Sequence, residues 1–444
     1  MSMINNAIIG LNAANVALTV AGQNVANAAV EGYSRQTANF ETAGSALSGV
    51  NVVSVERIVD AFLNDDIWRT SSALGYYEGK QSYLGYIEEL IGTETLNFND
   101  AITEISHSFS AAATTPDSLA YRQAIISASE SFLQDLAQMN GAIEGQLNQL
   151  SLEMDNLALN SSSTTAQIAE LNSKIIDAEA KHLPTAELKD NRELLIKELS
   201  GAIGIAITDR DNGSLDISTL SGAPLVIGTK AAEITVSGTT VSAEIVGQSF
   251  QLNDQVGGRF GGLISADTQV IKPTFESLNT LVKDFADTMN TALSEGFDLN
   301  GTAGIALFEY DPVNPVGTIN INPLITPDQL ALIGGEFDGG GIWVAAGGTG
   351  DNANIANIVA SIADSGSGFT SLVGELGISS QQNINSILTS TTLYDNAIQA
   401  RDSRSGVNLD EEAASLIHFQ QMYSANAKVI TTADQMFNSL LNMF

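Results

Sequence analysis

The last forty residues, Ser405 to Phe444, set the strictest condition on any fold this chain can adopt. Leu409, Ala413, Leu416, Phe419, Tyr423, Ala427, Ile430, Ala433, Phe437, Leu440 and Phe444 recur at a mean spacing of about 3.5 residues, the period of a coiled-coil seam. A helix carrying such a stripe needs a partner surface along its whole length. Asn408 or Asp410 is placed to cap its first turn, and the acidic run Asp410, Glu411, Glu412 favours the positive helix end. Two partners satisfy the seam: the core of the helix's own domain, as for most amphipathic helices, or a second terminal helix in this or another molecule.

The opposite end of the chain offers a complement. The first thirty residues carry no charged side chain, and Ile4, Ile8, Leu11, Ala14, Leu18, Ala21, Val25 and Ala28 alternate by fours and threes, a second seam of similar period. Asparagines crowd its other faces, so a short helix of this composition is marginal alone in water. The two seams are expected to meet.

Charge and residue usage then exclude whole classes of function. With 51 acidic against 18 basic residues, the net charge of −33 argues against nucleic acid and anionic membrane surfaces, both of which are bound mainly through Lys and Arg. No Lys or Arg occurs between Lys283 and Arg401, so that stretch should present a solvated acidic surface. Asn and Gln interrupt every apolar run near the N-terminus, and no membrane span is expected. There is no basic leader with a cleavage site, so export, if it happens, should use a route without a cleaved signal peptide. The absence of cysteine removes thiol nucleophiles and disulfides. His107, His182 and His418 lie far apart with no HExxH, and neither GxSxG nor a Walker A sequence is present. GGRFGG lacks the glycine order of a dinucleotide loop. Asp209 to Asp216 resembles the start of a calcium loop but lacks Gly at the sixth place and Glu at the twelfth, and reads as a hairpin turn. Neither cofactor nor metal is expected.

Between the termini the pattern predicts helix at 71–92 and a long helix at 116–160 broken by the SSSTT run at 161–165. Shorter helices follow at 166–181 and 185–200. Short alternating strands with Gly and Asp-Asn-Gly punctuation fill 201–262, closed by GGRFGGLI at 257–264. Helix returns at 267–295, a Pro- and Gly-rich stretch occupies 312–350, and helix resumes from 350 through 402. The expected fold is multidomain and mainly α with inserted β: paired N- and C-terminal coiled-coil helices, an elongated helical bundle and a small antiparallel β domain. The expected division is 1–62 with 403–444 as the terminal region, 63–200, 263–300 and 351–402 as the bundle, and 201–262 with 301–350 as an outer β-rich insert.

Particular residues add a resemblance. Asn24 and Asn27 followed by Gly32, Tyr33, Arg35 and Gln36, together with NLDEEAASLIHFQQMYSANAKVITTADQMF at 408–437, resemble the paired terminal signatures of bacterial flagellar axial proteins. Gly49, Val50, Val52, Arg57, Asp60, Phe62 and Leu63, with GGRFGGLI and the stretch from Gly296 to Asp311, are similar to the hook-associated protein 1 (FlgK) family. The resemblance implies a non-enzymatic structural subunit at the junction of hook and filament, whose terminal helices order in the assembly. It implies passage through the flagellar type III export channel to the extracellular flagellum. The implied partners are copies of itself in a ring, hook protein, hook-associated protein 3, and an export chaperone on the C-terminal helix. Assembly residues would be Asn24, Asn27, Gly32, Tyr33, Arg35 and Gln36, with Leu409, Leu416, Phe419, Tyr423, Ile430, Phe437 and Leu440. Two alternatives stay open: another axial protein (hook-associated protein 3, hook or rod), or a secreted enzyme or adhesin with 201–350 as its active insert. Tyr33 and Arg35 could equally lie in an exposed loop.

Overall fold

A computed structural model describes residues 2–42, 50–93 and 96–442. The chain divides into two compact units, one of Met1–Tyr76, Asn156–Gly261 and Ile387–Phe444, the other of Tyr77–Asp155 and Gly262–Ser386. Residues 201–261 thus group with the termini, and residues 301–350 with the second unit's helices.

The first unit opens with α1 (Ser2–Asn27), followed by an antiparallel hairpin of β1 (Gln36–Thr42) and β2 (Val50–Arg57), with a bulge at Asn39 and Phe40. Gly49, part of the family-like pattern, lies outside the described residues. Helix α2 (Ala61–Gly92) begins in this unit, and helix α4 (Leu119–Ala180) ends in it. The hydroxyl run at 161–165 does not break α4, contrary to the sequence expectation. Thr164 and Thr165 donate back to the Asn160 and Ser162 carbonyls of the helix itself, and the run also finds tertiary partners: Ser162 Oγ accepts the Ile234 amide (2.8 Å), and Thr165 Oγ1 also donates to the Ala232 carbonyl (3.0 Å). Hydroxyls that back-bond to carbonyls three or four residues earlier leave the helix's own ladder in place, so such a run need not end a helix.

Helix α5 (Ala186–Ala202) leads into β3 (Ile205–Asp209), β4 (Leu215–Thr219), β5 (Pro224–Ile227) and β6 (Lys230–Ala231), which form one antiparallel sheet in sequence order. β7 (Glu233–Ser237), β8 (Thr240–Ile245) and β9 (Gln248–Leu252) form a second. Alternation decides which face is covered: Leu215, Ile217 and Thr219 are buried, as are Val241, Ala243 and Ile245, while their neighbours face outward. Asn172 of α4 fastens the first sheet, its Nδ2 donating to the Leu215 (2.9 Å) and Gly228 (2.7 Å) carbonyls. Arg192 of α5 donates to Asn172 Oδ1 (2.7 Å) and to the Gly213 carbonyl (2.8 Å), and burial pushes its pKa down to about 10.

GGRFGGLI, which closes the β-rich stretch in the sequence, is mostly the helix α6 (Gly258–Ala266). Gly258 starts it at φ +59°, and a Cβ there would lie 2.4 Å from the carbonyl carbon of Ala202, so only glycine lets the two backbones touch.

In the second unit, α3 (Phe98–Ala112), to which the sequence pattern assigned no element, is capped by the Asn97 side chain. A π-helical turn (Asp267–Ile271) precedes α7 (Lys272–Ser294). The core is aromatic: Phe132 lies edge-on to Phe98 (5.4 Å between centroids) and to Phe285 (5.1 Å), and Phe98 stacks on Phe369. The Pro- and Gly-rich stretch forms ordered loops with β10 (Phe308–Glu309), α8 (Pro315–Thr318), β11 (Asn320–Ile321), β12 (Gly335–Phe337) and β13 (Trp343–Ala345). Fully buried Arg122 pins them through the Leu330 carbonyl (2.5 Å). Helix α9 (Ala353–Ile362) follows, and α10 (Ser367–Ser405) returns the chain to the first unit, where α11 (Leu409–Leu441) ends it.

Candidate assembly site at the chain termini

Helices α1 and α11 pack side by side. Asn426 lies against Gly10, while Ser415 and Phe419 share a small cavity with Ala17, Val20 and Ala21, so the two run antiparallel. The buried face of α1 is built from small residues, Ala7, Ala13, Ala14, Ala17 and Ala21, together with Val20. This corrects the seam read from the sequence. Only Ala14 and Ala21 of that stripe are buried; Ile8 and Val25 are exposed and Ile4, Leu11 and Leu18 half-buried. Periodicity gives weight to large apolar residues, but close approach of two helix backbones rewards small ones. At Gly10 an added Cβ would come within 2.8 Å of Asn426 Oδ1. By composition and length residues 3–27 also meet the requirements of a membrane-crossing helix.

At the top of α1 the chain turns a corner that side chains hold in place. Asn24 is buried; its Nδ2 donates to the Gln36 carbonyl (2.9 Å), and its Oδ1 accepts the Gln36 amide (3.0 Å) and the Tyr33 hydroxyl (2.8 Å). Burial, then the nearby Asp190 carboxylate, raises the Tyr33 pKa. Asn27 closes the last turn of α1 by donating to the Gln23 carbonyl (3.1 Å). Gly32 makes the reversal at φ +79°, a conformation in which a side chain is strained.

The corner is fastened to both neighbouring C-terminal helices. The Arg35 amide donates to the Ser405 carbonyl at the end of α10 (2.8 Å), and its guanidinium forks across the start of α11, with Nε on Glu412 and Nη1 on Glu411, both at 2.7 Å. Glu412 is buried with its side chain 3% exposed, whereas that of Glu411 is 58% exposed. Arg401 of α10 donates to the Gly32 carbonyl (2.9 Å) and to Ser34 Oγ (3.3 Å). Arg57 of β2 reaches the same Ser34 hydroxyl (3.2 Å) while bridging Asp190 (2.8 Å) and Glu193 (2.7 Å) of α5. Burial pushes the Asp190 carboxyl above its usual range, partly countered by Arg57. At the rim, Lys197 holds Glu31 (2.8 Å) and lowers its pKa.

Of the residues picked from sequence, Asn24, Asn27, Gly32, Tyr33, Arg35 and Gln36 therefore come together in one corner, with partners inside the same chain. On α11, Leu416, Phe419 and Ile430 are half-buried toward α1, and Phe419 meets Phe40 of β1 (6.3 Å between centroids). Asn408 caps α11, its Oδ1 accepting the Asp410 amide (3.0 Å). Leu409, Tyr423 and Phe437 are exposed. Leu440 belongs to α11, but its side chain lies outside the described ones, as does Phe444. Sequence reasoning missed Ser34, Arg401, Asp190 and Glu412 as corner residues. Partners more than a hundred positions apart leave no periodic trace, although two neutralising arginines in so acidic a chain were a usable signal.

Comparison with known proteins places the chain in context. The family model of the helical domain of flagellar hook-associated protein FlgK matches residues 84–308, and that of the C-terminal segment of flagellar basal body rod FlgEFG proteins matches residues 398–443. Flagellar hook-associated protein 1 of Escherichia coli K12 is 24% identical over an alignment covering all of both chains, and that of Bacillus subtilis 168 is 25% identical over 97% of this chain and 96% of its own. The solved structure of the flagellar hook junction protein FlgK from Burkholderia pseudomallei superposes with a TM-score of 0.68 at 15% identity, covering 78% of this chain and all of that one.

Proposed function

Because the chain belongs to the FlgK family of flagellar hook-associated proteins, we propose that it is a structural subunit of the bacterial flagellum, forming the junction between hook and filament through its terminal helices. One observation carries the mechanism. Pairing α1 with α11 consumes mostly alanine surface, and leaves Ile8, Val16 and Val25 of α1 and Leu409, Ile417 and Val429 of α11 exposed. Each large apolar side chain taken out of water is worth about 1.5–3 kcal/mol, so neighbouring subunits have more to gain from these helices than the free chain has. The terminal region, 1–62 with 403–444, is the assembly part, and its helices gain most of their stability on assembly. With only small side chains of α1 buried, the pair has less apolar area to lose on opening, which suits passage through a narrow type III export channel to the extracellular flagellum. The exposed side of α11 suits an export chaperone before assembly, and copies of the chain in a ring, hook protein and hook-associated protein 3 afterwards. The role is mechanical rather than enzymatic.

The test is complementation in a flagellated bacterium lacking its own junction protein. The full chain should restore filaments and swimming, and a chain ended after Ser405 should not. Restoration by the shortened chain would overturn the proposal.

A further inference from the structure

The corner of the first unit also bounds a cleft of about 460 Å³, walled by residues 28–33, by Leu194 of α5, by Ile398 and Val407 at the junction of α10 and α11, and by one side of α2. Its charges are already paired within the chain, Glu31 with Lys197 and Arg401 with Asp402. Polar and apolar side chains line it about equally, and its apolar part stands open to water: Val30 and Leu194 on its wall are 56% and 40% exposed. The same helix that walls the cleft carries a candidate on its other side. Asn64, Ile67 and Trp68 line the cleft, and at about 100° per residue Phe62 projects from the opposite face of α2. Phe62 is 76% exposed, more than any other phenylalanine side chain among those described.

A hole and an apolar knob on opposite faces of one helix cannot satisfy each other within one molecule. They can do so between copies placed head to tail, and such heterologous contacts close into a ring when the rotation between copies allows it. We propose that Phe62 of one subunit seats in the cleft bounded by Val30, Trp68, Leu194 and Val407 of the next copy of this chain, making a lateral contact of the ring. This rests on the reading of the chain as a self-assembling junction subunit. It also gives the corner residues a second consequence, since Asn24, Tyr33 and Arg401 hold the wall into which the neighbour's ring would fit.

The natural chain contains no cysteine, which makes a covalent trap clean. Asp66 lies one turn from Phe62 on the same side of α2, half-buried and paired with Arg69, and Leu194 sits on the cleft wall. Asp66→Cys/Leu194→Cys, incorporated into flagella and mildly oxidised, should give a ladder of disulfide-linked oligomers. Neither single variant should, and adding Phe62→Ser should abolish it. Incorporation of the double variant without a ladder, or a ladder that survives Phe62→Ser, would overturn the proposal. Phe62→Ser alone gives an independent reading: it should reduce incorporation at the junction at least several-fold, and unhindered assembly would also overturn it. Failure of the unaltered chain to enter flagella at all would instead sink the functional reading on which the contact rests.

Discussion

Replacing Arg35 by alanine should release the start of α11 from the corner, and the structure says by how much. Arg35 makes two ion pairs of equal length and unequal worth. The contact to Glu411 faces water and contributes about 0–1 kcal/mol. The contact to Glu412 is different, because that carboxylate is almost wholly buried and would be left without its cation. Breaking a fully buried pair by removing one partner costs about 3–5 kcal/mol; with the Arg35 side chain 24% exposed, water can partly compensate, and about 2–3 kcal/mol is expected. Amide exchange in residues 409–420 of the free chain should therefore quicken about 30-fold or more in Arg35→Ala, since each 1.4 kcal/mol of local opening is tenfold. Glu411→Gln should change exchange less than about fivefold. Arg35→Ala/Glu412→Gln should recover part of the loss, because the orphaned charge is gone. Unchanged exchange in Arg35→Ala, or a Glu411→Gln effect as large, would mean that the buried Glu412 contact does not hold the start of α11.

The remaining predictions concern the same unit. Asn24→Ala removes three hydrogen bonds and leaves the Gln36 amide and carbonyl without them in a part-buried corner; about 1–3 kcal/mol of lost stability is expected by denaturant unfolding, with Asn24→Asp at least as harmful because it cannot donate. Gly10→Ala should weaken the α1–α11 pair by crowding Asn426, and Asn426→Ala should restore it, a coupling readable as non-additivity in a double-mutant cycle. Asp190 has a folded pKa above its unfolded value, so its contribution favours the fold fully below about pH 4 and is lost as pH rises through the raised value. Asp190→Asn should remove that fall from the stability–pH profile; a profile unchanged from the natural chain would contradict the assignment.

The terminal helices were legible in sequence because an apolar stripe of coiled-coil period calls for a partner surface, and Asn408 with three acidic residues marked the start of α11. What could not be read was which face of α1 turns inward. Ile8 and Val25 dominate any apolar count, yet Ala7, Ala17 and Ala21 are the ones buried, because closeness of approach is a property of the pair and not of either helix. The β sheets were visible through alternation and turn glycines. The continuity of α4 through SSSTT was not, since the run's hydroxyls bond both to the helix's own carbonyls and to backbone groups some seventy residues away. Arg35 was picked for its motif, but its reason for being there, the buried Glu412, lies 377 positions along the chain.

On the proposed function, the outer faces of the α1–α11 pair are the surface that neighbouring subunits cover. Ile8 and Ile417 are exposed at 45% and 57% and lie away from the shared face of the two helices. The direct test is the amount of Ile8→Ser/Ile417→Ser chain recovered in purified flagella, measured beside amide exchange of α1 and α11 in the free monomer. Exchange should match that of the natural chain while incorporation falls at least tenfold; full incorporation with exchange unchanged would mean that these faces are not the assembly surface.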